Sequence, residues 1–119
     1  MELVMNHYEN YNIIGDVYRD TEVYSVIDNL QLDKLVLSQV VLHKFQKTRG
    51  HAHEGCEEVY FFQFGTGQMV VDTETVTVGA GSIVLVPDGQ FHKVINTGLS
   101  DLIFHTVYNK TENRTVYAK

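Results

Sequence analysis

The chain has 119 residues, 44% of them apolar, which is enough to bury one hydrophobic core and makes a single domain the simplest organisation. A formal net charge of −6, with nine basic residues scattered along the chain, excludes the phosphate backbone of a nucleic acid as the expected partner. One cysteine excludes an internal disulfide, and no apolar run approaches the roughly 20 residues of a membrane span. The start, Met1-Glu2-Leu3-Val4-Met5-Asn6-His7, lacks the basic and apolar stretches of an export signal, so a reducing, cytoplasmic setting is expected. On that reading the acceptor-like triplets at Asn109 and Asn113 are chance matches.

Residues 1–22 are polar and rich in Tyr and Asn, with no clear period, and read as an N-terminal arm. It is either irregular or laid across a sheet edge or a neighbouring subunit. From residue 23 to 119 the pattern is that of one β domain. Val23 to Ile27 is β-branched and aromatic and ends at Asp28-Asn29, a turn pair. Leu32 to Phe45 is a long Val/Leu/Ile run with isolated polar insertions, too β-branched for a helix. Val59 to Phe64 and Gln68 to Val71 follow, and a tight turn at Asp72-Thr73-Glu74 leads into Thr75 to Val78. After Gly79-Ala80-Gly81 come Ile83 to Val86, stopped by the only proline, Pro87, then Phe91 to Ile95 and Leu102 to Tyr108. Eight or nine short strands joined by Gly, Asn and Asp turns predict an all-β sandwich or barrel.

Within this frame His51 and His53 stand one residue apart. On a strand, side chains at i and i+2 share a face about 6.6 Å apart, so both imidazoles can converge on one ion. Alternation puts Glu58, Tyr60, Phe62 and Phe64 on one face of the next strand, and Val59, Phe61 and Gln63 on the other. A turn between His53 and Glu58 would return Glu58, not Glu57, to the two histidines, unless a bulge shifts the register. A Pro-x-Gly turn at 87–89 could deliver His92 to the same interior. The plain alternative is that His51 and His53 are surface loop histidines.

These residues resemble the cupin motifs. Gly50-His51-Ala52-His53, Glu58 and Gly65 resemble the first motif, and Gly81, Pro87, Gly89, His92 and Asn96 match every fixed position of the second. The 15 residues between the motifs (66–80) are typical of small single-domain microbial cupins. One departure is upstream, where Gly50 abuts the first histidine instead of preceding it by several residues. The resemblance implies a jelly-roll β-barrel, often dimeric, holding one divalent transition metal (Mn, Fe, Co, Ni or Zn) on His51, His53, Glu58 and His92. It assigns Gly65, Gly81 and Gly89 to tight turns and Asn96 to a strand end.

Around this site Tyr60 and Phe62 are expected to point inward, Arg49 to reach the pocket rim, and Gln39, His43 and His105 to be further candidates. The Cys56 thiol reads as a loop bystander. Thr48-x-Gly50-His51-x-His53 and Glu58-x-Tyr60 resemble the first signature of cupin-type phosphoglucose isomerases, with a shorter His53–Glu58 gap and a shorter chain. The run 49–53 faintly resembles nucleotide-sugar ketoisomerase cupins. The leading expectation is therefore a metal-dependent isomerase or epimerase of a small sugar or sugar phosphate, with His105 or Tyr60 as the base. An Fe(II) dioxygenase and a non-catalytic small-molecule-binding cupin are the alternatives.

Overall fold

The computed structural model describes residues 12–52 and 54–110. Nine strands follow in order: β1 (Asp16–Asp20), β2 (Tyr24–Asn29), β3 (Leu35–Leu42), β4 (Glu58–Phe64), β5 (Thr66–Val71), β6 (Glu74–Gly79), β7 (Ile83–Val86), β8 (His92–Asn96) and β9 (Leu102–Asn109). Among the described residues there is no helix. The strands form two antiparallel sheets, of order β1-β2-β3-β9-β4-β7 and β6-β5-β8.

The two sheets bury their alternate side chains in one core. Val26, Val40, Leu42, Phe62, Leu102 and Phe104 come from the large sheet, and Met69, Val78 and Val94 from the small one. Complete burial of a side chain of this size contributes about 1.5–3 kcal/mol, so the core holds the sheets face to face. Phe62 and Phe104 stack at 5.1 Å between ring centroids, and Tyr60 joins them at 5.5 Å from Phe104.

Four details depart from the sequence reading. Asp16–Asp20, within the expected arm, is an edge strand on β2. Its alternation is hidden because it has only one neighbour and carries charge at three of five positions. Residues 1–11 lie outside the described residues. Asp28, expected in a turn, is buried in β2, where its carboxylate accepts a 2.5 Å hydrogen bond from Ser38 Oγ. The long run 32–45 is a strand only from Leu35 to Leu42 and then turns at Lys44-Phe45, with Phe45 at φ 67. Finally, the register of β4 on β9 shifts between Phe62 and Phe64, which leaves Phe64 54% exposed instead of beside Phe62.

Candidate metal centre

Once β3 has ended, the chain doubles back along β8. Gln46 O accepts from Asn96 N, Thr48 N donates to Val94 O, and His51 and His92 exchange both backbone hydrogen bonds at 3.1 and 3.0 Å. Residues 46–51 therefore act as an irregular fourth strand on the edge of the small sheet. Directly opposed residues of an antiparallel pair project to the same face. The imidazoles of His51 and His92 accordingly meet edge to face, 4.5 Å between centroids. Gly50 makes this approach possible. It has φ +84, and a Cβ there would lie 2.5 Å from the Phe91 ring and 2.9 Å from Lys93 Cβ.

Glu58 arrives from the other sheet. It opens β4, pairs with Tyr108 and Val86, and is buried, whereas Glu57 is exposed. The turn at 54–55 is tied to the Pro87–Gly89 turn by Gly55 N donating to Asp88 Oδ1 at 2.8 Å. Donor atoms of His51, Glu58 and His92 all lie within 4.8 Å of one another. Ligands around an ion bound at about 2.1 Å stand roughly 3–4 Å apart, so small side-chain shifts would close the set. His53 lies outside the described residues.

The second ring nitrogen of His92 also suits a ligand. Its Nδ1 faces the Gln90 carbonyl at 2.9 Å, and its Nε2 faces Glu58 Oε1 at 3.2 Å. An Nδ1–H held by a carbonyl fixes the tautomer that offers Nε2 to a metal. In the metal-free protein the same two acceptors can both be served by an imidazolium. Burial lowers the His92 pKa, but the hydrogen bonds to Glu58 and Gln90 and the Glu58 charge outweigh it, and the pKa is raised above 6.5. Tyr60, buried and hydrogen-bonded to Glu58, is raised well above 10, first by burial and then by the Glu58 charge. It therefore stays a phenol and donates to the carboxylate. Its ring also meets the edge of His92 at 5.7 Å.

His105 does not join the site. It pairs with Gln39 on β3 and Phe61 on β4, so it shares the outer face of the large sheet with Phe61, opposite to Glu58 and Tyr60. There its Nε2 lies 3.3 Å from Gln39 Oε1, and Gln39 in turn holds Asn12 and the Ile13 amide. This alternation sets the His105 ring, expected to serve as a base, on the face opposite to the three donors. Burial lowers its pKa below 6.5. In the metal-free protein His92 and His105 should thus titrate on opposite sides of 6.5 in an NMR pH titration. Stability from His92 is full below pH 6.5 and fades as pH rises through its elevated folded value. His105 works the other way: its contribution is present above 6.5 and is lost as pH falls through its depressed folded value.

The remaining candidates disperse. Arg49 is exposed, His43 pairs with Asp101 at 3.2 Å near the surface, and Cys56 is buried against Val36 and Tyr108. A groove of about 380 Å³ beside β7, lined in part by Asp72, Glu74, Pro87 and Gln90, holds none of the three donors, and its carboxylates would repel a phosphate. Two features escaped the sequence reading. One is the chain Asp28–Ser38–Tyr108, with Ser38 Oγ 3.1 Å from Tyr108 OH. Its only trace was a polar insertion in an apolar run. The other is the hub at Asn96. Its side-chain amide donates to the carbonyls of Leu42, His43 and Ser100 and its oxygen accepts from Gly98 N.

Two facing antiparallel sheets with a His/Glu cluster between them define a small double-stranded β-helix protein. Residues 39–108, more than half of the chain, match the cupin domain family, and the chain belongs to that family. It is 30% identical over 100 residues to glucose-6-phosphate isomerase from Thermococcus kodakarensis, an alignment covering 73% of this chain and 53% of that one. It is 35% identical over 57 residues to an oxalate-binding protein from Thermotoga maritima, covering 48% and 47% of the two chains. The chain thus spans about half the length of the curated relatives it matches. Among solved structures, an RmlC-like cupin from Shewanella frigidimarina superposes with a TM-score of 0.72 at 16% identity, over 86% of this chain and 89% of that one, a likeness of fold.

Proposed function

We propose that this protein binds one divalent transition metal on His51, His53, Glu58 and His92 and isomerises or epimerises a small sugar or sugar phosphate. The observation that carries the metal is the convergence of three donors from two sheets, one of them a histidine with its second nitrogen on a carbonyl. Two or three neutral imidazoles with a carboxylate suit Mn, Fe, Co, Ni or Zn. The substrate class rests on the relationship to glucose-6-phosphate isomerases over 73% of the chain. A bound ion would supply Lewis acidity to a substrate carbonyl and its neighbouring hydroxyl. Tyr60, whose burial and Glu58 neighbour favour the phenol, orients Glu58 and offers it a hydrogen bond rather than serving as a resting base. The lone cysteine fits a cytoplasmic site of action.

The relationship to an oxalate-binding protein favours one second reading, in which the same ion holds a small anion without turnover. Metal-loaded protein mixed with aldose and ketose phosphates, followed by NMR under anaerobic conditions, separates the two. Interconversion that survives the absence of oxygen supports the isomerase. Saturable binding of oxalate with no turnover of any sugar phosphate overturns it.

A further inference from the structure

The outer face of the large sheet carries two cross-strand rows over β3, β9, β4 and β7. One is Leu37, Val107, Val59 and Leu85, and the other is Gln39, His105, Phe61 and Ile83. Exposure along the second row is uneven. Gln39 and His105 are only 2% and 8% exposed, although both are polar and lie on the outer side, whereas Phe61 and Ile83 are 43% and 61% exposed. The covered end is where the chain arrives from its N-terminus. The Gln39 side chain is held there at both ends: its Oε1 accepts from Ile13 N at 2.9 Å, and its Nε2 donates to Asn12 Oδ1 at 2.8 Å. Asp16 opens β1 opposite Asp28 of β2. Traced backward from there, the chain passes β2, where Asn29 Nδ2 donates to Ile14 O, and stands over β3 at Asn12. It is thus crossing the outer face at the point where the described residues begin.

We propose that residues 1–11 of the same chain continue in this direction and cover the face as far as β7. The remaining path is three steps between strands, about 14 Å, and residues 1–11 span roughly 36 Å when extended. Length is therefore ample, and the sequence supplies suitable side chains. Tyr11 and Tyr8 come first and fit beside His105 and Phe61, since a tyrosine suits a half-buried face. Leu3, Val4 and Met5 remain for Ile83 and Leu85 on the edge strand. The six apolar side chains of the two rows present on the order of 500 Å² at their observed exposures, at the upper end of what a monomer leaves open. The anchor at Gln39 belongs to the same chain, so the segment starts on its own sheet and needs no second copy to reach the face. The contact lies behind the candidate site, because Val59 and Phe61 alternate with Glu58, Tyr60 and Phe62 on β4. It does not depend on the chemistry proposed there.

The test is nuclear Overhauser spectroscopy on the full chain with methyl-labelled Leu, Val, Ile and Met. Contacts between the methyls of Leu3, Val4 and Met5 and those of Ile83 and Leu85 are expected, and they should persist when labelled protein is diluted into unlabelled protein. Absence of these contacts overturns the proposal, and so does their loss on dilution, which would mark a segment lying on another copy. A full-length variant carrying Met5→Asp and Tyr8→Asp gives a second readout. It should keep the far-UV circular dichroism of the wild type and bind an apolar dye several-fold more strongly, as the uncovered face becomes available. Equal dye binding by the two proteins also overturns the proposal. Metal content and sugar-phosphate turnover are read separately, so their failure leaves this result distinct.

Discussion

His92→Ala is expected to leave the protein without stoichiometric metal. His51→Ala and Glu58→Ala should do the same, each lowering affinity by more than about a hundredfold, because losing an outer hydrogen-bond partner alone costs 10- to 100-fold. Tyr60→Phe, which removes only the hydroxyl beside Glu58, should fall within that smaller range. Glu57→Ala is the internal control: it neighbours Glu58 in sequence but is exposed, and should retain the metal. Elemental analysis of each purified variant after dialysis, followed by calorimetric titration, reads these outcomes without reference to any substrate. Full metal retention in both His51→Ala and His92→Ala would remove the centre.

The largest stability loss is expected from Asn96→Ala. The amide sits 3% exposed, donates to the carbonyls of Leu42 at the end of β3, His43 and Ser100, and accepts from Gly98 N. Alanine would remove both N–H donors, which the three carbonyls share, and the acceptor of Gly98 N, in a buried site. With ~1–3 kcal/mol per stranded group, partly relieved by relaxation, a loss of about 3 kcal/mol follows. That corresponds to a melting temperature lower by on the order of 10 °C. Asn96→Asp keeps the shape but replaces the donor with an acceptor facing carbonyls, so it should be no better than alanine. Denaturant unfolding of the three proteins reads the effect. A variant within 1 kcal/mol of wild type would show that the hub is redundant.

Much of this architecture was legible because strands of five to eight residues with period-two burial leave their mark in sequence. Val59 to Phe64 and Ile83 to Val86 were delimited by Gly, Pro and charge, and the structure places strands there. The choice of Glu58 over Glu57 followed from the same parity. Parity failed where geometry is set by distant partners. Phe64 left the core at a bulge, and parity alone did not say which face of β9 is the inner one, so His105 read as a site candidate although its partners Gln39 and Phe61 put it on the outer face. Neither fact has a local signature. Asp28 read as a turn residue because nothing nearby announces that Ser38, ten residues on, will supply its hydrogen bond. The path of residues 46–51 along β8 depends on Phe45 adopting a left-handed backbone, which a sequence pattern does not disclose.

The three donors do not share a sheet. Glu58 belongs to the six-stranded sheet, His92 to the three-stranded one, and His51 to the segment running along it. An ion held by all three would act as a rivet through the sandwich, and its binding energy would add to the folding energy, about 2.7 kcal/mol when free metal is a hundred times its Kd. Chains that lose their ion would open more often and be cleared by proteolysis sooner. The amount of this protein in a cell would then follow the supply of its metal, with no separate sensor needed.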